Sequence, residues 1–415
     1  MNKTIAPGPR AGEVRIPSSK SVLHRLLICA ALGEKPVRIR ADGISKDIGA
    51  TLDCLRALGA EAETDEGGIT LVPGRVTPEG EALLPCGESG STLRFLLPLA
   101  GALGRKACFR MEGRLSERPM KVYEDLLCGR GMEIRREGCL LHCEGRLRPG
   151  DYELPGNVSS QYFSGLLMAL PLLDGESRLK VRGELESAAY ITLTEQALAL
   201  SGVRPEALPE GGGWVIPGGQ TYALPEAMDA EGDWSNAAFF LCMGALSDSP
   251  LCVDGLNLAS GQGDRAILKI LYDFGAKLRL EGSSVTVERF QKNPIRIDAS
   301  GIPDLVPTVA VLACGAVGES RIEHAERLRL KESDRLQTTA ALINGLGGCA
   351  EELPDGLVIH GTGGLKGGTA DACNDHRIAM SAAVASCLCE GPVELLGADC
   401  VRKSYPAFWK EFERL

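Results

Sequence analysis

The chain has 415 residues, 44% hydrophobic and 24% charged, with a net charge of −10. That length predicts about two or three domains of ordinary globular composition, and the acidic balance argues against nucleic acid as a bulk partner. No apolar run approaches the roughly 20 residues of a membrane span. The opening "MNKTIAPGPRAGEVRIPSSK" has no apolar signal core, and fifteen cysteines without paired CxxC spacing read as reduced thiols. The expectation is therefore a cytoplasmic protein with no structural metal; "CLLHC" at 139–143 and "CLC" at 387–389 are poor zinc patterns.

In chain order, "KTIAPG" and "GEVRIP" predict two short strands with no helix before them. The apolar segment "SVLHRLLICAALG" follows, apolar on most faces and so predicted to be a buried helix. Then comes "LDCLRALGAEAETDEGGITLVPG": an amphipathic helix, a glycine stop, a strand, a turn and a strand. The alternation then repeats. Further buried helices are expected at "STLRFLLPLAGALG", "SQYFSGLLMALPLLDG", "SNAAFFLCMGALSD", "LVPTVAVLACGAVG" and "HRIAMSAAVASCLCEG". Their partners are helix–stop–hairpin units whose stop glycines are Gly131, Gly202, Gly275 and Gly347, after Gly59 in the first. Successive stops are 72, 71, 73 and 72 residues apart, a period that a single unit would not establish.

Six buried helices accompany only five complete hairpin units, because the sixth begins with "YPAFWKEFERL" and the chain ends there. The two N-terminal strands are therefore expected to complete the last repeat. The class is α/β: two similar lobes, each of three βαβαββ repeats with buried helices. Residues 1–18 plus 232–415 would form one lobe and 19–231 the other, with the active site in the cleft between them.

Polar residues collect before each buried helix: "PSSKS", "GESGS", "NVSSQ", "EGDWSN", "SGIPD" and "CNDH". Such residues cap helices, and helix starts also receive anions. Cations accompany them: Lys20 and Arg25, Arg94, Arg118, Arg377 and Lys403. The densest run is "RLRLKESDRL" at 327–336. Arg327 and Arg329 alternate with leucines as on a strand, and "KESDR" opens a predicted helix that would stack Lys331 on Arg335. Like charges at a helix start are costly alone and sensible beside bound anions.

"PSSKSVLHR", "GESGSTLRF", "LSERPM", "NVSSQ", "GIPDLVP", "LRLKESDR", "NDHRIAM" and "VRKSYP" together resemble, in order and at compatible spacing, the motifs of the 5-enolpyruvylshikimate-3-phosphate synthase family. The resemblance runs from about Lys20 to Lys403. It implies the enolpyruvyl transferase fold of two lobes and six repeats. It also implies transfer of the enolpyruvyl group of phosphoenolpyruvate to the 5-hydroxyl of shikimate 3-phosphate, by addition and elimination through a tetrahedral intermediate. By that resemblance Lys20, Ser21, Arg25, Ser159, Ser160, Gln161, Ser187, Tyr190, Asp304 and Lys331 hold shikimate 3-phosphate. Lys20, Gly90, Arg118, Gln161, Arg335, Arg377 and Lys403 hold phosphoenolpyruvate, a site for which glyphosate competes. Asp304 and Glu332 form the acid–base pair, with Lys20 able to move a proton.

The expected partners are the two small-molecule substrates, with no cofactor, no metal, no nucleic acid and no membrane, and the chain is expected to be a monomer. Ser18 stands where many relatives have glycine, Phe95 where some have proline, and Arg327 where some have asparagine. The sister transferase acting on a UDP-sugar carries a cysteine in a mobile Gly-rich loop before an "RP" pair; here that stretch, "MEGRLSERPM", has none.

Overall fold

A computed structural model describes residues 1–74 and 80–415. The described chain divides into two compact units, Lys20–Ala230 and Met1–Ser19 with Glu231–Leu415. It carries twelve α-helices: α1 (Lys20–Ala31), α2 (Lys46–Ala57), α3 (Gly90–Ala102), α4 (Lys121–Gly129), α5 (Ser160–Ala169), α6 (Ala188–Leu200), α7 (Trp234–Leu246), α8 (Ile267–Phe274), α9 (Val306–Cys314), α10 (Arg335–Gly345), α11 (His376–Ala385) and α12 (Phe408–Arg414). None is long and apolar enough to cross a membrane.

The unit Lys20–Ala230 contains three four-stranded sheets of one design. In the second sheet, Ala82–Gly87 runs parallel to Ala107–Met111, which pairs antiparallel with Leu140–Gly145, and Met132–Glu137 closes the hairpin at the edge. The third sheet repeats this with Asp151–Pro155, Ser177–Arg182, Gly213–Ile216 and Glu206–Ala207. The first uses Val37–Arg40, Gly68–Val72 and Glu61–Asp65, and its parallel edge strand is Ala227–Asp229. Helices α3 and α5 are buried along nearly their whole length and pack on each other. Such all-round burial is what an apolar sequence with few charges predicts.

The other unit is built alike. Gly12–Arg15 lies parallel to Leu251–Asp254 in a sheet with Ser284–Glu288 and Lys277–Glu281. Arg296–Asp298, Val317–Glu323, Gly356–Thr362 and Ala350–Leu353 form the next. Gly368–Asp371, Val393–Leu396 and Lys3–Ile5 form a three-stranded last sheet. Helices α7, α9 and α11 pack together at its centre, every residue of each being buried except Ser235. The five stop glycines all take positive φ, from 78° at Gly202 to 108° at Gly59, the region that glycine enters without a Cβ penalty.

Two details differ from the sequence expectation. Only Lys3–Ile5 completes the last repeat, while the second N-terminal strand, Gly12–Arg15, joins the sheet of the fourth. Conversely, Ala227–Asp229, just before α7, belongs to the first sheet. Each strand stays with the unit that the chain is about to leave, and the buried helix after it begins the next unit. The segment 327–330 is also not a strand. Glu326–Leu330 forms a 3-10 turn, in which Leu328 is buried but Leu330 is 54% exposed, so the alternation has no second wall to face. The helix after it starts at Arg335 with Asp334 as its cap, accepting from Gln337 N. Lys331 therefore lies outside the helix, and the predicted stacking of Lys331 on Arg335 does not occur.

Candidate active site

In the unit that carries α9, α10 and α11, the turn before α9 presents Asp304 and the bend before α10 presents Lys331 and Glu332. The first residue of α10 is Arg335, only 1% exposed at its side chain. Its guanidinium donates to three carboxylates: Nη1 to Asp304 Oδ1 at 2.7 Å, Nη2 to Glu332 Oε2 at 2.7 Å and Nε to Asp375 Oδ2 at 2.8 Å. Asp304 is held from its other side by Arg377, whose Nη2 donates to Oδ2 at 2.8 Å and Nη1 to the Asp304 carbonyl at 3.3 Å.

Burial opposes ionisation of Asp304, but Arg377, Lys331 and Arg335 outweigh it and hold this carboxyl well below the usual range. Burial, with help from Arg335, pulls the Lys331 ammonium down to about 8 although Asp304 favours its charge. Lys331 is half-buried and makes no side-chain hydrogen bond or ion pair among the described residues.

Lys403 is buried, and its Nζ donates to the carbonyl of Asn374 at 2.6 Å. Asn374 and Cys373 both take left-handed φ, 54° and 48°. Such positions cost about 1–3 kcal/mol each and occur where surrounding structure dictates them. Here they bring Asp375 to the cap of α11, where it accepts from Arg377 N at 3.0 Å.

In the unit Lys20–Ala230, the remaining residues gather at the starts of α1, α3, α5 and α6. Lys20 Nζ donates to Asp47 Oδ2 at 2.9 Å. Arg25 is 2% exposed and ties three helices together, donating to Ser21 O, Ser164 Oγ, Tyr190 O and Thr194 Oγ1. Burial lowers even its guanidinium to about 10. Four of its five N–H groups are thus committed within the unit.

Gly90 opens α3, and a Cβ there would lie 2.9 Å from Arg94 Nη1 and 3.0 Å from Arg118 Nη1. Gln161, on the first turn of α5, accepts from Arg94 Nη1 at 2.6 Å and donates to Ser91 Oγ at 2.9 Å. Ser159 caps α5, with buried Ser160 as its first residue. Ser187 stands before α6 at a left-handed φ of 54°, and half-buried Tyr190 follows on its first turn.

The sequence reading missed three carboxylates. In the sequence, Asp375 of "CNDH" reads only as a cap. Asp47 holds Lys20 from α2. Asp264 is buried, and burial together with Asp304 pushes its carboxyl up to about 7. Only the "NDHR" context hinted at the first; the other two lie outside every motif.

The chain is similar over its whole length to known proteins. The family model for EPSP synthase (3-phosphoshikimate 1-carboxyvinyltransferase) matches residues 5–412. Curated relatives named 3-phosphoshikimate 1-carboxyvinyltransferase include those of Clostridium kluyveri, 41% identical over 99% of this chain and 96% of the relative, and Clostridium novyi, 38% identical over 100% and 97%. Among solved structures, EPSP synthase from Acinetobacter baumannii matches with a TM-score of 0.81 at 25% identity, covering 99% of this chain and 97% of that one. The enolpyruvyl transferase NikO from Streptomyces tendae matches in fold with the same TM-score at 19% identity, over 99% and 96%.

The fold is thus that of the enolpyruvyl transferases. Within that class, the chain belongs to the EPSP synthase family. It is a transferase of the shikimate pathway that moves the enolpyruvyl group of phosphoenolpyruvate to the 5-hydroxyl of shikimate 3-phosphate and releases phosphate.

Proposed function

We propose that Asp304 and Glu332, with Lys20, move the protons of this reaction. In the addition, the methylene carbon of phosphoenolpyruvate gains a proton and the 5-hydroxyl loses one. In the elimination, the new methyl group loses a proton as phosphate leaves. The observation that carries this reading is the Asp304 carboxylate, fixed between the guanidiniums of Arg335 and Arg377 with Glu332 on the same Arg335. A carboxylate held so far below neutrality is a weak base, and a base works best with a pKa near the operating pH. Arg335 and Arg377 are also the assigned partners of phosphoenolpyruvate. An anion that engages them offsets their charge, which raises the Asp304 pKa when substrate arrives.

The shikimate 3-phosphate contacts are assigned to Lys20, Ser21, Arg25, Ser159, Ser160, Gln161, Ser187, Tyr190, Asp304 and Lys331. Those to phosphoenolpyruvate are assigned to Lys20, Gly90, Arg118, Gln161, Arg335, Arg377 and Lys403. Arg25 has one N–H left for a ligand, so it acts chiefly by positioning α1 against α5 and α6. Lys331 has its whole ammonium to give. The cysteines, fifteen without paired CxxC spacing, support a reducing, cytoplasmic setting.

Lys331 tests the assignment. Lys331→Met should weaken shikimate 3-phosphate binding, measured by calorimetry, by roughly tenfold or more, the worth of a hydrogen bond to a charged group. Above about pH 7, where the substrate's phosphate is already fully ionised, wild-type affinity should fall as pH rises through about 8, where the free ammonium loses its proton. An unchanged dissociation constant in Lys331→Met removes this residue from the site.

Gly90 supplies a second expectation. Gly90→Ala would push a methyl group against Arg94 and Arg118, both buried. Both contacts are the far ends of long side chains, so the guanidiniums would shift, and Arg94 would move from its 2.6 Å bond to Gln161. Glyphosate inhibition should weaken by about tenfold or more, with a smaller rise in the phosphoenolpyruvate KM, read from steady-state phosphate release. Equal inhibition of both proteins would show that this helix start does not line the inhibitor's site.

A further inference from the structure

The sheet of Ala82–Gly87, Ala107–Met111, Leu140–Gly145 and Met132–Glu137 buries Ala107, Phe109, Leu141 and Cys143 on its core face. Strand alternation sends Cys108 and His142 to the opposite face, where the antiparallel register sets them directly across from each other. Cys108 Sγ lies 3.8 Å from His142 Nε2. The other ring nitrogen, Nδ1, lies 3.1 Å from Glu81 Oε1. Ligand atoms of Glu81, Cys108 and His142 all fall within 4.8 Å of one another. A fourth donor, Glu137 Oε2, is 3.7 Å from Nε2.

We propose that Cys108 and His142 bind a divalent cation of the zinc class, with Glu81 fixing the imidazole through Nδ1 and Glu137 offering a further oxygen. Sulfur and nitrogen ligands at about 2.3 and 2.0–2.1 Å from a tetrahedral ion stand about 3.6 Å apart. The Cys108–His142 separation is already close to that edge. A carboxylate on the far nitrogen is the arrangement that selects the tautomer and orients a metal-bound histidine. A thiolate with an imidazole suits zinc or cobalt rather than magnesium or calcium.

The surroundings agree in sign. Two carboxylates, Glu81 and Glu137, lie at 3.1 and 3.7 Å from the two nitrogens of His142, and an incoming cation would offset their charge. On binding, the Cys108 S–H bond breaks, a sulfur–metal bond forms, and the proton passes to solvent. The adjacent "CLLHC" spacing is not the ligand set, because Cys143 points into the core. The ligands come from neighbouring strands, which no local spacing reveals. None of these residues belongs to either substrate assignment.

Cobalt(II) is the probe, added to the whole protein with its thiols reduced. The expected result is a thiolate-to-cobalt charge-transfer band with tetrahedral visible bands. Cys108→Ser and His142→Gln should each abolish the charge-transfer band, while Cys139→Ser, Cys128→Ser and Cys373→Ser keep it. Glu81→Gln should keep the band but weaken binding by about 10–100-fold, as loss of an orienting partner does. The proposal is overturned if wild type gives no charge-transfer band, or if the band survives in Cys108→Ser. Should Cys108→Ser fail to fold, His142→Gln decides alone, since its ring is partly exposed and its loss leaves the core face intact.

Discussion

Asp304→Asn and Glu332→Gln should each lower kcat by about 10²–10⁴-fold, the usual worth of a positioned acid or base, while shikimate 3-phosphate still binds. Both substitutions keep the size of the side chain and one oxygen acceptor. Both remove the ability to exchange a proton. Asp304 is the stronger case, because its two oxygens are fixed by separate arginines, at 2.7 and 2.8 Å. The competing account is that these carboxylates only neutralise Arg335, Arg377 and Lys331. Under that account, the amide variants would lose stability or substrate affinity and keep near-normal kcat at saturation. Single-turnover measurements with both substrates saturating, alongside denaturant midpoints, separate the two outcomes.

The fold was largely legible because its period is carried by backbone requirements. Glycine stops near every 72 residues and six apolar helices define six repeats before any contact is known. What sequence missed was the fate of strands at the two points where the chain passes between units. Both N-terminal strands have the same short alternating pattern, so nothing in them says that Lys3–Ile5 joins one sheet and Gly12–Arg15 another. Pairing partners are a long-range property, and these lie 392 and 239 residues away at Lys3↔Leu395 and Leu251↔Gly12.

The candidate site was legible as a set of cations at helix starts, since those starts are marked by caps. The partners of those cations were not. Asp375 looks like any capping aspartate, yet it is wholly buried against Arg335. Arg327 and Arg329 looked like one face of a strand. Arg329 in fact donates to Leu353 O, Pro354 O, Glu352 and Asp334, which pins the 3-10 turn and the cap of α10. These pairings depend on which loops meet in space, and local periodicity carries no record of that.

Arg335→Ala should cost about 3–5 kcal/mol of stability, the usual effect of removing one partner from a buried ion pair. The guanidinium is the common donor to three carboxylates, and its side chain is 1% exposed. Without it, Asp375 keeps Ser333 Oγ at 3.0 Å and Arg377 N at 3.0 Å but loses the cation that offsets its burial. Burial works against ionisation of Asp375, while Arg335 is the largest influence holding its carboxyl below the usual range. Asp304 would keep Arg377, whereas Glu332 would lose the donor at 2.7 Å. If Arg335 acted purely as a ground-state contact to phosphoenolpyruvate, its removal would raise that KM and leave the unfolding midpoint unchanged. The three-carboxylate geometry predicts instead that the midpoint drops first and that the KM effect appears on top of it. Adding Asp375→Asn to Arg335→Ala should then recover part of the lost stability, because it neutralises the stranded buried charge. A double variant no more stable than Arg335→Ala would mean that the ion pair is not what the arginine contributes to the fold.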